Sequence, residues 1–259
     1  MTRLLERISY RAPLALECVD GVTGAVVGDG LTATVWRNDD PGTQVMARPS
    51  PFSGLLGVKS LAGMWQQTHS GGPAGVPTSW PSVPPTAVSA LVIDTRNRYL
   101  PTSIAVEVPS PAPFQVQLFS QLARPVGSSC ATVQGEVRDG GSGEALGWAY
   151  LTVVSGADTY HAVADQLGRF LLLMPWPDAL SVPTGSGLGG LTWQLTVEVQ
   201  TQPSALVRSP GLGSDDPPEL ASITGQQAAQ LVDGGPHASL EATLTYRSPL
   251  VLELTAIPS

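Results

Sequence analysis

Lysine is almost absent from this sequence: thirteen of the 259 residues are basic, and Lys59 is the only lysine among them. Acidic residues number 21, so the formal net charge is −8 and the isoelectric point is near 4.7. A chain with this balance offers no basic stripe for phosphate groups, and we do not expect nucleic acid as a partner. Charged residues make up only 13% of the chain, well below the usual ~25%, which fits a subunit whose faces are partly covered in an assembly.

Long apolar runs are also missing. No stretch approaches the ~20 apolar residues of a transmembrane helix. The first residues, 1–8, contain neither an apolar core nor a cleavage site of a secretory leader. We therefore expect neither Sec export nor direct membrane insertion.

Cysteine and histidine are scarce. Cys18 and Cys130 sit at the starts of the two repeated halves of the chain, one in each half, whereas a disulfide framework would place pairs within one domain. We interpret both as buried free thiols in a reducing compartment, with a disulfide as the alternative. His69, His161 and His237 have no His or Cys partner at metal-ligand spacing, so we expect packed or solvated histidines and no metal or cofactor.

Catalytic motifs are few and weak. A G-x-G-x-x-G pattern spans residues 185–190, but the alternating stretch 191–200 that follows predicts a strand, whereas a dinucleotide fingerprint needs a helix there. We interpret it as a flexible hairpin loop. The adjacent acids Asp39-Asp40 and Asp215-Asp216 predict loops, with helix capping for the second pair and weak Ca²⁺ binding as an alternative at either. We do not expect an enzyme; a hydrolase with dispersed carboxylates is the remaining catalytic alternative.

The most informative positive feature is an internal repeat at an offset of 119 residues. Residues 20–35 and 139–154 both contain an Asp/Gly turn followed by an alternating stretch. The positions that coincide are Asp20 with Asp139, Gly21 with Gly140, Gly24 with Gly143, Gly28 with Gly147, and Val35 with Val154. Strand, tight turn and strand are typical of a hairpin. The duplication therefore predicts two similar β-sandwich domains.

The rest of the chain is typical of short, evenly spaced strands. We predict an all-β protein of two tandem Greek-key β-sandwiches, residues 1–122 and 123–259, joined by a short Pro-containing linker near 123–127. Residues 38–51 and 66–85 are predicted loops, and residues 219–232 are the only predicted helix. Two strands at 240–246 and 250–254 are predicted to close the second domain as a hairpin.

The second repeat resembles the carboxypeptidase regulatory-like domain, a transthyretin-like β-sandwich. The resemblance is carried by Val133-x-Gly135-x-Val137-x-Asp139 and by Asp165-x-x-Gly168-x-Phe170, with Gly143 and Ala149 between them. It implies a structural or adhesive module without catalytic residues.

The whole chain also resembles two-domain proteins among the structural components of phage-tail-like contractile injection systems. The matching stretches include Asp94-x-x-x-Arg98-Tyr99-Leu100-Pro101 and Leu118-Phe119-Ser120-x-x-x-Arg124-Pro125. The resemblance implies a non-catalytic adaptor subunit, at the cap, membrane-distal end rather than the baseplate. It implies cap, sheath, tube or baseplate proteins as partners, and a ring-like multimer. It also implies a cytoplasmic assembly, incorporated into a particle that is either released or kept in the cytosol.

Side chains in loops and in the linker are the predicted contacts with neighbouring subunits. They are Trp65, Trp80, Arg96, Arg98, Tyr99 and Arg124. For Arg96 and Arg98, plain surface charges that satisfy a turn are the alternative. The six tryptophans are predicted to pack in cores and interfaces. The alternative function is a carbohydrate- or cell-surface-binding module, of tail-fibre or adhesin type, that uses Trp65, Trp80 and the 66–85 loop.

Overall fold

The computed structural model describes residues 7–50, 53–58, 61, 66–70, 84–176, 191–232 and 239–258. Within these ranges the chain is almost entirely β-structure, so the predicted all-β fold is confirmed. The strands of the first half are β1 (Arg7–Arg11), β2 (Leu14–Asp20), β3 (Leu31–Arg37), β4 (Asp40–Pro49), β5 (Leu56–Val58), β6 (Gln66–Ser70), β7 (Thr86–Asp94), β8 (Thr102–Val108) and β9 (Phe114–Leu118). Those of the second half are β10 (Cys130–Asp139), β11 (Tyr150–Ser155), β12 (Asp158–Val163), β13 (Arg169–Pro175), β14 (Thr192–Gln200), β15 (Gln230–Leu231), β16 (Ser239–Thr245) and β17 (Leu250–Ile257), with the helix α1 at Leu220–Thr224.

The first sandwich is built from β2–β5 and β7–β9. Hydrogen bonds join these strands in the order β8-β7-β3-β4-β5-β2-β9. The ten-residue β4 links the two layers, because its middle pairs with β3 while Arg48 and Pro49 at its end pair with β5. Burial alternates strictly along β2, which directs Leu14, Leu16 and Cys18 into the core between the layers.

The second sandwich has two four-stranded sheets. One has the order β13-β10-β17-β15 and the other the order β12-β11-β14-β16. The core between them takes alternate residues from both sheets, such as Leu151 and Val153 of β11 and Leu195 and Val197 of β14. Phe170, the last residue of the Asp165-x-x-Gly168-x-Phe170 motif, lies in this core and is 1% exposed.

The two sandwiches share one pattern of strand pairing. In each, the first strand pairs in parallel with the last, β2 with β9 and β10 with β17. The first strand also pairs antiparallel with the fourth, β2 with β5 and β10 with β13. The second strand pairs with the third and the fifth, β3 with β4 and β7, and β11 with β12 and β14. The duplication seen in the sequence therefore extends to the whole topology.

The repeated Asp/Gly turn has the same hydrogen bonds in both copies. Asp20 N–H donates to the carbonyl of Ala25 at 2.9 Å, and Asp139 N–H donates to that of Glu144 at 2.8 Å. Each aspartate carboxylate also accepts a backbone N–H two residues on, from Val22 at 2.8 Å and from Gly141 at 2.7 Å.

The strands that flank this turn are not hairpin partners, so the predicted hairpins are wrong. After a short bridge between Val19 and Val26 the chain crosses to the opposite layer, where β3 begins. A glycine at the same position of each repeat makes this crossing possible. A Cβ on Gly28 would lie 2.7 Å from the carbonyl oxygen of Gly54, and a Cβ on Gly147 would lie 2.6 Å from the carbonyl oxygen of Gln166. The glycines thus serve a close backbone crossing between layers.

The predicted closing hairpin is wrong for a similar reason. β16 pairs with β14, whereas β17 pairs with β10 and β15 in the other sheet. Leu244 of β16 and Leu252 and Leu254 of β17 enter the same core from its two sides. Both strands bury their apolar faces without pairing with each other.

Two predictions about the helix need correction. The predicted helix at 219–232 is limited to α1, because the chain leaves the helix at Gly225 and Gln226 turns inward. Asp215 and Asp216 do not cap it: Glu219 is the N-cap residue and its side chain makes no capping bond, while Asp216 accepts the N–H of Gly213 in a preceding turn.

Both predicted long loops contain strands. Within 38–51 lies β4, whose pairing with β3 and β5 overrides its Pro- and Gly-rich composition. Within 66–85 lies β6, which pairs with β1, whereas residues 71–83 lie outside the described residues and β7 begins only at Thr86. The G-x-G-x-x-G stretch at 185–190 lies outside the described residues.

Candidate functional site

Four of the six predicted contact residues come together at one end of the first sandwich. Arg96, Arg98 and Tyr99 lie on the turn between β7 and β8, and Arg124 follows β9. Trp65 and Trp80 lie outside the described residues.

The turn between β7 and β8 is organised by a buried carboxylate. Asp94 accepts the backbone N–H groups of Arg96 at 3.2 Å and of Arg98 at 2.8 Å, and the Arg98 Nε at 2.9 Å. Burial alone would raise the pKa of Asp94, but these hydrogen bonds outweigh it and the pKa is lowered. Arg98 also donates to the carbonyl of Asp29, so its guanidinium joins two loops of the same sandwich.

A second carboxylate ties the linker to the repeated turn. Arg124 donates to Asp20 through both terminal nitrogens, at 2.6 and 3.2 Å, and to the Ser120 hydroxyl at 3.0 Å. The Tyr99 hydroxyl donates to the same aspartate at 3.0 Å. The two charged side chains are only 13% and 6% exposed, so this is a buried bidentate ion pair.

Tyr99 packs between two guanidinium groups. The Arg98 Cζ lies 5.3 Å from the ring centroid and the Arg124 Cζ lies 4.8 Å from it, both within the range of cation–π attraction. Arg96 differs from its neighbours because its ion pair with Asp29, at 2.7 Å, is largely exposed. The four side chains are thus engaged within the chain, and their role in binding another subunit stays a prediction.

An apolar cluster, the junction cluster, joins the two sandwiches. Its buried members are Leu100 and Phe119 from the first half and Trp148, Val163 and Ile223 from the second. Tyr150 packs its ring against Phe119 in an edge-to-face arrangement, with the centroids 6.1 Å apart. No local sequence pattern predicts this cluster, because its members come from separate strands and turns with no common spacing.

The segment 201–229, which we call the arm, extends from β14 of the second sandwich and contacts the first. The Trp36 indole N–H donates to the carbonyl of Pro210 at 2.6 Å. The hydroxyls of Ser103 and Ser209 lie 3.1 Å apart, and Ser209 donates to the Glu219 carboxylate at 2.9 Å. A hydroxyl has one hydrogen to donate, so Ser103 is the donor to Ser209.

The four tryptophans among the described residues divide into two buried and two partly exposed side chains. Trp36 and Trp148 are 2% and 6% exposed, in agreement with the predicted packing. Trp176, Trp193 and Tyr246 form a partly buried group at one end of the second sandwich, with ring centroids 5.0 to 6.4 Å apart and interplanar angles of 40° to 59°. These tilted rings pack on each other and do not share one flat surface.

The described cysteine and histidine side chains do not form a shared site. Cys18 is buried, and burial raises its pKa to about 12; Cys130 is only half-buried, contrary to the prediction. Both thiols are free. His161 stacks on Tyr150, and burial lowers the pKa of His161.

In the part of the chain that the structure describes, no three His, Cys, Asp or Glu side chains converge as metal ligands would. None of the described helices has the length and apolarity to cross a membrane.

Charge is distributed unequally between the halves. Residues 1–122 contain eight basic and eight acidic side chains, whereas residues 123–259 contain five basic and thirteen acidic ones. The whole formal charge of −8 therefore comes from the second half.

No protein-family model and no curated protein matches the sequence. Among solved structures, the 5-hydroxyisourate hydrolase of Klebsiella pneumoniae is 7% identical and matches 50% of this chain and 98% of its own, with a TM-score of 0.23. The shaft pilin SpaA of Lactobacillus rhamnosus GG is 9% identical over 97% of this chain and 98% of its own, with a TM-score of 0.27. The Bacillus anthracis TIE protein is 10% identical over 96% of this chain and 34% of its own, with a TM-score of 0.27. These likenesses carry no functional inference.

Proposed function

We propose that this protein is a non-catalytic structural subunit of a phage-tail-like contractile injection particle, at its cap, membrane-distal end. The sequence resemblance described above supports the choice of particle. The structural observation that supports an adaptor is the buried contact between two sandwiches of one topology. A subunit that bridges neighbouring rings has to keep its shape under load, and a buried junction serves that need.

The partners under this proposal are the cap, sheath or tube proteins, or the baseplate, in a ring-like multimer. The neutral first half and the acidic second half present different surfaces to them. We propose that the neighbour of the second half carries a basic surface, because charge complementarity orients subunits and excludes wrong contacts.

The test is whether the protein belongs to particles at a fixed ratio. Intact particles are purified from the native host by sedimentation, and their subunits are quantified by mass spectrometry. We expect six copies, or a small multiple, per particle, and electron cryomicroscopy then distinguishes the cap from the baseplate. Absence from the particles, together with a soluble monomer, would contradict the proposal.

A carbohydrate- or cell-surface-binding module is the second candidate, and the aromatic group of Trp176, Trp193 and Tyr246 favours it. Because the three rings are tilted to one another, a sugar ring would stack on one partly exposed ring and not on a shared platform. On a glycan array, this candidate predicts saturable binding that is lost on replacing Trp176 or Trp193, or Trp65 or Trp80, by alanine. Phe114→Ala, at an exposed aromatic residue of β9 outside this group, is the control and leaves binding unchanged.

A further inference from the structure

The arm is an addition to the repeated fold. In the first sandwich, the connection from β7 to β8 consists of residues 95–101, whereas in the second the equivalent connection from β14 to β16 consists of residues 201–238. Both connections contain a short segment that pairs beside the last strand: Tyr99 bridges Ser120, and β15 pairs with β17. The arm is inserted ahead of this shared feature.

The base of the arm is fastened to the second sandwich. The N–H of Thr201 donates to the carbonyl of Gln227 at 3.0 Å, and that of Ala229 donates to the carbonyl of Val199 at 2.9 Å. The buried Gln226 amide donates to the carbonyl of Trp148 at 2.8 Å. These bonds close the arm at its base, so it moves with the second sandwich.

The far part of the arm is fastened to the first sandwich by buried polar groups. Ser103 and Ser209 are 0% and 2% exposed, and the chain from Ser103 through Ser209 to Glu219 crosses between the halves. If the arm separated from the first sandwich, these hydroxyls and the Trp36 N–H would lose their hydrogen-bond partners. A main-chain bridge between Ser103 and Glu219 also covers part of β8, an edge strand.

Apolar contacts add to this attachment. Ile223 of α1 is 4% exposed within the junction cluster, and Leu220 packs against both that cluster and the core of the first sandwich. The halves are thus joined three times: by the covalent linker with its Arg124–Asp20 pair, by the junction cluster and by the arm. Domains joined by a linker alone are expected to move relative to each other, whereas three separate attachments determine one orientation.

We propose that the arm is a built-in lock that holds the two sandwiches at one angle, so that the whole chain behaves as a single rigid body. The arm carries Ile223 into the junction cluster, so loss of the arm's attachment also weakens that cluster, and the sandwiches then rotate about the linker and unfold separately. This inference does not depend on the proposed function, because it concerns the free chain.

The test compares three forms of the full chain by differential scanning calorimetry and small-angle X-ray scattering. The double variant Trp36→Phe/Ser209→Ala removes two hydrogen bonds that cross between the halves. Trp176→Phe is the matched control, because the Trp176 N–H also donates to a carbonyl, that of Ser128 at 3.2 Å, but within the second half. Ile223→Asp is a more severe release, and far-ultraviolet circular dichroism checks that it folds.

We expect the wild type to unfold in one transition with equal calorimetric and van't Hoff enthalpies. The double variant is expected to unfold in two transitions and to scatter as a flexible pair with a larger radius of gyration. Trp176→Phe keeps one transition and the wild-type scattering. Two independent transitions in the wild type would overturn the proposal, and so would a double variant that keeps one transition and unchanged scattering. If Ile223→Asp does not fold, the double variant decides.

Discussion

The two equivalent aspartates of the repeat show how one residue acquires a second role. Asp139 only organises its turn, where it accepts the N–H groups of Gly141 and Ser142. Asp20 makes the same kind of turn and is also the buried partner of Arg124 and Tyr99. The Asp/Gly turn was readable from the sequence, but the ion pair joins residues 104 apart and has no local signal.

Asp20→Asn is expected to destabilise the protein by about 3 kcal/mol, because the amide retains the turn but leaves the buried Arg124 guanidinium without its counter-charge. Urea unfolding at pH 7 measures the loss. Asp29→Asn is the control, because its ion pair with Arg96 is largely exposed and is expected to contribute less than about 1 kcal/mol. Equal losses in the two variants would contradict the assignment of Asp20 to a buried pair.

Acid is expected to weaken the fold through Asp20 and Asp94. In the folded state, hydrogen bonds from Arg124 and Arg98 overcome the effect of burial and lower both pKa values, whereas an unfolded aspartate titrates near pH ~3.9. Their stabilising effect is therefore present above pH ~4 and is lost as the pH falls through the folded values. Urea midpoints between pH 7 and 2.5 measure it. The urea midpoint of Asp20→Asn/Asp94→Asn should fall less than that of the wild type over this pH range. An equally steep fall would show that these two carboxylates do not cause the loss of stability in acid.

At the scale of the element, β10 is shaped by a glycine in its middle. Gly135 pairs with Phe170 on one side and with Leu252 on the other, and a Cβ at this position would lie 1.8 Å from the Leu252 carbonyl oxygen. The V-x-G-x-V-x-D motif thus marks a close approach of parallel strands. The equivalent position in β2 is Leu16, which is buried in its own core. The motif alone did not reveal which strand approaches.

Gly135→Ala is expected to destabilise the protein by about 3 kcal/mol or more, because β10 or β17 has to shift to accommodate the methyl group. Gly42→Ala is the matched control, since a Cβ there would meet only the Asp40 carboxylate, at 3.5 Å. Gly42→Ala is expected to change the free energy of unfolding by no more than about 0.5 kcal/mol. Urea unfolding compares the variants, and a tolerated Gly135→Ala would mean that the strands do not approach as closely as described.

At the scale of the molecule, the charge of −8 belongs to the second half. Like charges destabilise a compact state by mutual repulsion, and dissolved salt screens them. Glu198 of β14 and Glu241 of β16 lie on the same outer face, as the register of these strands shows. Replacing these two glutamates on the outer face would reduce the repulsion between negative charges without a change in the core.

The melting temperature is therefore expected to rise with added NaCl, and Glu198→Gln/Glu241→Gln should raise it at low salt and reduce its salt dependence. Glu17→Gln/Glu107→Gln, in the neutral half, is the matched control and should retain the wild-type salt dependence. Thermal unfolding from 10 mM to 0.5 M NaCl measures both. The same loss of salt dependence in the two double variants would show that the repulsion is not confined to the second half.

The sequence by itself determined the all-β class, the duplication and the Asp/Gly turns, because alternation and turn chemistry act over a few residues. Only the tertiary structure decided that β2 and β3 belong to opposite layers, that residues 219–232 are mostly not helical, and that the arm joins the halves. These features depend on partners far apart in the chain, such as Trp36 and Pro210, 174 residues apart. A strand's side-chain pattern shows which face is buried but not which strand lies beside it, and that choice is made by packing of the whole chain.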